Sequence, residues 1–377
     1  MQIYTVTYND TVDSIAAAFG ISPDSIIYNN QLAYPYPLAI GQALLLSTEE
    51  PSSANRTIRS NGYAYPFISP WVLNQTLPFL SELSVFSYGF TTEGFLIPPP
   101  LDDSFMILQA QAFHTKPILT LTPFGPDGMF NNRLISSLIH NPNAVEQLME
   151  QLLEIFEEKE FTGVDVDFEY IMAEDRDAFS DFVGTLAQRL NPLGYTVSVA
   201  LAPKVADDQP GLLYEGKDYA ALGAYANYVL LMTYEWGYTY GPPMAVAPMP
   251  QVQRVVDYAI SRIPAEKIRL GIANYGYDWP LPFQQGVTKA ITIGNIEAVQ
   301  IAIRHGAAIQ MDPVSLSPFF RYWKEGIQHE VWFEDVRSLN YKYSLVQDYG
   351  LQGIGIWQIM RLFRPGLLLL ADRFWIN

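Results

Sequence analysis

The sequence contains no cysteine. Disulfides, thiol nucleophiles and thiolate metal sites are excluded together. Histidine is scarce too: His114, His140, His305 and His329 are the only four, and none is spaced as a metal pair. Basic residues number 22 against 39 acids, a net charge of −17. A surface of that sign repels phosphate backbones, so no nucleic-acid partner is expected. No apolar run approaches the ~20 residues of a membrane-spanning helix, so no membrane insertion is expected. The opening "MQIYTVTYND" has neither a basic region nor an apolar core, and no cleavable signal peptide is visible. No glycine-rich nucleotide turn is present.

What remains is rich in aromatics: 24 Tyr, 21 Phe and 7 Trp among 377 residues, 49% of which are hydrophobic. That suffices for a large core with rings left over for a binding surface. The length suits a barrel plus a small module.

Residues 1–48 read strand–helix–helix–strand. "IYTVTY" is β-like, "DTVDSIAAAFG" is a short amphipathic helix ending at Gly20, "SPDSIIYNNQL" is a second helix, and "GQALLLS" closes as a strand. Ser22 can cap the second helix with Pro23 at its first position. The polar, serine-rich stretch that follows predicts a linker over residues 49–57 and hence a tethered module.

The segment resembles a LysM module through Tyr4-Thr5-Val6, Asp10-Thr11, Ile15-Ala16, Phe19-Gly20, Asn29-Asn30 and Gly41-Gln42. Asn9 departs from the pattern, which has glycine there. The resemblance implies binding of N-acetylglucosamine chains, with Asp10, Thr11, Asn30 and Leu32 as the glycan-binding positions.

Over residues 58–377, strand-like runs alternate with helical ones. The strand candidates are 62–68, 83–89, 116–122, 163–170, 195–202, 228–234, 268–277 and 353–359. The clearest helices are 143–158, 176–190 and 251–261. Several strands are near-continuous apolar runs, as expected when helices cover the sheet. Eight such units make the arithmetic of a (β/α)8 TIM barrel. A doubly wound open sheet competes, but it would normally carry a glycine-rich nucleotide turn. The spacing between the seventh and eighth strands is too long for one helix. A small α+β insertion after strand 7, at about 280–338, is expected to wall a substrate cleft.

The most informative stretch is "GVDVDFEY" at 163–170. Asp165, Asp167 and Glu169 alternate with Val164, Val166 and Phe168, so a strand puts three acids on one face. In a barrel they would climb the interior, with Glu169 at the mouth. Like charges that close cannot all ionise freely, so Asp167 and Glu169 should titrate as a unit. A carboxylic acid held protonated near neutral pH is what general-acid catalysis needs. A metal site is the competing use of three acids, but alternate residues of one rigid strand cannot wrap a hard cation. No metal and no cofactor are expected.

The column resembles the DxxDxDxE signature of glycoside hydrolase family 18, with Thr162 standing where the motif begins with Asp. "LLMTYEWGY" (230–238) resembles the family's sixth strand, and "GIGIWQI" (353–359) its last. The resemblance implies that Glu169 is the proton donor, that Asp167 and Tyr234 hold the substrate's acetamido group, and that Asp165 supports Asp167. It places Glu235 nearby, although on a regular strand Glu235 would face away from Tyr234. It makes Trp357 the floor of the −1 sugar site.

Trp236 and Tyr238, just past that strand, are candidates for stacking sugars. Asn274 and Tyr275 are expected to face the mouth, and Glu334 to return to the cleft from the insertion. The implied reaction is substrate-assisted hydrolysis with retention, the acetamido oxygen acting as nucleophile.

Within the family the pairing of LysM and barrel is most similar to the spore cortical fragment-lytic enzymes, N-acetylglucosaminidases of peptidoglycan that normally carry two LysM modules. The implied partner is a peptidoglycan or chitin-type glycan. The expected location is spore-associated (coat or cortex) or otherwise extracytoplasmic, and a monomer is expected. A chitinase or chitooligosaccharidase, and a non-catalytic glycan-binding spore or wall protein, are the alternatives.

Overall fold

The computed structural model describes residues 1–48 and 54–377. The first part folds as β1 (Gln2–Thr5), α1 (Val12–Phe19), α2 (Pro23–Asn29) and β2 (Ala43–Leu46), with the two strands antiparallel. Thr11 caps α1 by accepting from the Ser14 amide at 3.0 Å, and Gly20 ends it at φ 65°. Ser22 and Pro23 open α2 as expected. Asn9, where the LysM pattern has glycine, adopts φ 68°. Asparagine is among the few side chains tolerated in that left-handed region, so the turn survives the substitution.

The second part is a closed parallel barrel. Its strands are β3 (Thr57–Ala64), β4 (Glu82–Phe90), β6 (Lys116–Leu121), β7 (Gly163–Val166), β8 (Thr196–Leu201), β9 (Tyr228–Leu231), β10 (Ile268–Ala273) and β16 (Gly353–Trp357). Each pairs with the next in parallel, and β16 pairs with β3 to close the ring. Two short strands, β5 (Leu96–Ile97) and β17 (Trp375–Ile376), extend the rims. Around the barrel lie α3 (Pro70–Thr76), α4 (Ser104–Ala112), α5 (Asn132–Ile139), α6 (Pro142–Lys159), α7 (Arg176–Leu190), α8 (Tyr219–Tyr225), α9 (Met249–Ile260), α11 (Val336–Asp348) and α12 (Arg364–Arg373). The outward residues Val164, Val166 and Phe168 are buried in the layer between sheet and helices, with Phe168 stacked on Phe182 of α7.

Two expected strands change at their ends. The fourth stops at Val166, so Asp167 to Tyr170 lie beyond the ladder. The run 268–277 is two strands: β10 ends at Ala273, and β11 (Gly276–Pro280) opens a separate antiparallel sheet. That sheet also holds β12 (Ile291–Ile293), β13 (Gln310–Asp312), β14 (Ser317–Lys324) and β15 (Ile327–Trp332), and α10 (Asn295–His305) packs on it. Gly276 allows the switch, because a Cβ there would lie 2.4 Å from the Trp332 carbonyl oxygen. The insertion therefore starts earlier than 280 and ends before α11, which Asp335 caps.

The bottom of the barrel is ionic. Arg269 pairs with both Glu82 oxygens at 2.5 and 2.9 Å and lies 3.5 Å from the centre of the Tyr228 ring, whose hydroxyl donates to Glu82. Burial pushes the Glu82 carboxyl up, but Arg269 and Tyr228 outweigh it and hold it below its usual range.

The small module is docked onto the barrel. Residues 49–53 of the expected linker fall outside the described residues, and Thr57 already belongs to β3. Leu45 is fully buried within the barrel's own apolar cluster. The Arg364 guanidinium lies 3.9 Å from the centre of the Tyr28 ring and donates to the Tyr28 carbonyl and to Gln75. The Ile309 amide of the insertion donates to the Ile40 carbonyl at 2.8 Å. Gly41 makes that approach feasible, since a Cβ there would meet the Ile309 oxygen at 1.9 Å. The tethered arrangement read from the serine-rich stretch is thus corrected by an apolar and charged interface.

Candidate active site

Asp165 is the deepest of the three acids. It accepts from Tyr63 of β3 at 2.8 Å and from Ser198 of β8 at 2.6 Å, which fixes it inside the barrel. Burial raises its pKa, while those two donors and Arg269 oppose the rise.

Asp167 stands one step higher. Its amide donates to the Leu121 carbonyl at 2.9 Å, which keeps the segment attached to β6 after the ladder has ended. Its Oδ1 is buried and has no hydrogen-bond partner among the described residues. Burial, then the charges of Glu169 and Asp165, push its pKa well above the carboxylate range.

Glu169 is half-buried at the top of the column. Burial raises its pKa, Glu235 adds to that, and Lys217 acts against it. The expectation that Asp167 and Glu169 interact as titrating groups agrees with these directions.

Beyond β9 the chain leaves extended geometry. The Tyr234 amide donates to the Met232 carbonyl, and the Tyr234 ring comes to rest against Gly271 of β10, where a Cβ would lie 2.8 Å from it. Burial, followed by Asp167 and Glu169, drives the Tyr234 phenol far above its ordinary pKa, so it remains a hydrogen-bond donor.

Glu235 adopts φ 67°. The regular-strand expectation for this residue therefore fails. Glu235 is exposed as a residue, but its carboxylate turns in to accept from Tyr275 at 2.5 Å and Tyr277 at 2.9 Å. Trp357 ends β16, half-buried, with its ring edge-on to Phe86 (4.9 Å between centres), Tyr63 and Tyr65. Trp236 is half-buried and Tyr238 is exposed.

Several expected positions have other duties. Asn274 donates to the Gln358 and Arg361 carbonyls at 3.0 and 2.9 Å, bracing the loop after β16. Tyr275 is buried and serves Glu235. Glu334 does not return to the cleft: it is buried in an ion pair with Lys342 (2.9 Å) and accepts from Ser338 (2.6 Å). It lines a cavity of about 250 Å3 between the module and the insertion, together with Leu32, Tyr34 and Gln300 and with none of the three acids.

In the module, Asp10 accepts from Tyr4 and Thr7, Thr11 caps α1, and both ends of the buried Asn30 amide are engaged by Ile26 and Leu45. These three build the module's loops. The most exposed rings on those loops are Tyr8 and Tyr34.

Sequence reading missed Tyr63, Ser198 and Lys217. Ser198 had a signal, as a polar residue within the apolar run 197–202. Lys217 had none, because it arrives from a loop.

Comparison with known proteins agrees with this fold. Residues 103–361 match the family described as Glycosyl hydrolases family 18, and residues 4–47 match the LysM domain. The chain is 35% identical to a cortical fragment-lytic enzyme of Bacillus subtilis (strain 168), over 99% of this chain and 98% of that one. It is 32% identical to the cortical fragment-lytic enzyme of Bacillus anthracis, over 100% and 99%. Among solved structures it superposes on the Bacillus cereus spore cortex-lytic enzyme SleL with a TM-score of 0.95 and 31% identity, covering 100% of this chain and 98% of that one. A chitinase from Chromobacterium violaceum superposes with a TM-score of 0.76 at 25% identity, over 84% and 98%.

Proposed function

The chain belongs to the glycosyl hydrolases of family 18, and from that premise we propose that it cleaves β-1,4 N-acetylglucosaminyl linkages of spore-cortex peptidoglycan, with retention and substrate assistance. Glu169 protonates the glycosidic oxygen as the C1–O bond breaks. The lone pair of the substrate's acetamido oxygen closes on C1 and forms an oxazolinium ion. Asp167 accepts from the acetamido N–H, and Tyr234 donates to its oxygen. Asp165, held by Tyr63 and Ser198, backs Asp167. Water then adds to C1, giving its proton to Glu169 and reopening the ring on the original face.

The observation that carries this reading is Asp167 Oδ1, a buried carboxylate oxygen without a partner among the described residues. Buried polar atoms are normally satisfied, and an acetamido N–H is the kind of donor this one lacks. Trp357 serves as the sugar platform, with Trp236 and Tyr238 beside it. The module, residues 1–48, holds the glycan through the loops bearing Tyr8 and Tyr34, and the protein acts at the spore or wall.

Digestion of purified cortex peptidoglycan and of chitin, with mass analysis of the products, tests the substrate. Cortex fragments with N-acetylglucosamine at the reducing end support the proposal. Faster release from chitin would favour the chitooligosaccharidase reading, to which the Chromobacterium violaceum likeness lends weight.

A further inference from the structure

Lys217 is fully buried beside the acid column. Its Nζ donates to the Phe168 carbonyl, between Asp167 and Glu169, and to the Ala200 carbonyl of β8 at 3.2 Å. The pairing of β7 with β8 ends at Val166 opposite Val199, so both carbonyls lie where the ladder has run out. The ammonium bridges the parting strands on one side, as the Asp167 amide does toward β6 on the other.

The loop is built to deliver this group. Gly216 lies against Ile171, just past Glu169, and a Cβ there would stand 2.4 Å from the Ile171 oxygen. A second fully buried lysine, Lys204, donates to the Lys217 carbonyl at 3.0 Å and anchors the loop from below. A buried ammonium is costly unless charge repays it. Two carbonyls alone could be served by a neutral donor.

We propose that Lys217 is a positioning residue for the acid column, fixing through the Phe168 carbonyl the backbone that carries Asp167 and Glu169 and supplying a buried positive charge beside both. The inference rests on the roles assigned to those two acids above. Three carboxylates face the ammonium: Asp165, Asp167 and Glu169. Glu235 bears on Glu169 from above, and Arg269 and Glu82 bear on Asp165 from below. On the loop side Lys204 lies among Arg176, Asp207, Asp208 and Asp218. From α7 the Phe179 ring approaches, 5.2 Å from Nζ. Burial lowers the Lys217 pKa to about 8 against the pull of the three acids.

The first test uses the unaltered protein, with 15N-labelled lysine side chains followed by NMR across pH. Lys217 as an ammonium at pH 6 is expected; a neutral amine there would overturn the proposal whether or not any variant folds. The second uses Lys217→Met with 13C-labelled carboxyl groups. Asp167 and Glu169 should titrate about one pH unit higher or more, the scale of losing an adjacent opposite charge. The acid limb of kcat/KM should move the same way, and Lys217→Arg should return both toward the original. Lower turnover with an unmoved carboxyl titration and an unmoved pH profile would mean a merely structural lysine and would overturn the proposal. The carboxyl titration is read without turnover. It therefore stands apart from the catalytic reading, which fails separately if Glu169→Gln stays active.

Discussion

Arg364 of the last barrel helix stacks on Tyr28 of the small module, 3.9 Å from guanidinium to ring centre. The contact is one of several that merge module and barrel, together with buried Leu45 and the Ile309–Ile40 hydrogen bond. Removing residues 1–48 should therefore do more than weaken attachment to insoluble glycan. Burial of one leucine contributes roughly 1.5–3 kcal/mol, so the truncated barrel should melt several degrees lower. Arg364→Ala in the full chain should lower Tm by a smaller amount. Calorimetry of the three proteins decides; an unchanged Tm on truncation would restore the tethered picture.

At the barrel floor, Arg269→Met strands Glu82 without its ionic partner. Leaving a buried charge unpaired costs about 3–5 kcal/mol. The double variant Arg269→Met, Glu82→Leu should recover most of that loss. Denaturant titration of the set measures it, and additive single effects would contradict a coupled pair.

Burial raises the pKa of Asp167 and that of Glu169 in the folded chain. Their stabilities are thus at full value below the ordinary carboxylate pKa and decline as pH rises through the raised values. Asp167→Asn removes that decline. The variant should be more stable than the parent at neutral pH, with the gap closing toward acid, while it loses activity. Melting curves across pH check the sign, and a gap that widens toward acid would contradict it.

Glu169→Gln should fold, bind glycan and lose on the order of 10²-fold or more in turnover, the scale of a general acid. Turnover on soluble fragments, with binding measured in parallel, is the check. Near-parental activity would remove Glu169 from its role.

Much of this was legible beforehand, for identifiable reasons. Period-two alternation at 163–170 displayed the acid column because strand geometry ties side-chain direction to sequence parity. The eight apolar runs displayed the barrel because its sheet is buried on both faces, by helices outside and by packed side chains within. What escaped lay where the chain leaves regular geometry. Glu235 turned the wrong way in the reading because a left-handed residue breaks parity. The strand at 268–277 was drawn too long because an apolar, aromatic run continues across the turn into a second sheet. Asn274, Asn30 and Glu334 looked like ligands because a polar side chain that braces a loop has the same spelling as one that meets substrate. Module docking was invisible, since Tyr28 and Arg364 are 336 residues apart.

The central claim is that the substrate's own acetamido oxygen is the nucleophile, gripped by Asp167 and Tyr234. The direct measurement is hydrolysis of matched glycan strands, N-acetylated and de-N-acetylated at the −1 sugar, with a thiazoline mimic of the oxazolinium ion as inhibitor. The account predicts cleavage of the acetylated strand alone and strong inhibition, as transition-state-like species show. Equal cleavage of both strands without thiazoline inhibition would contradict it, even with Glu169 essential.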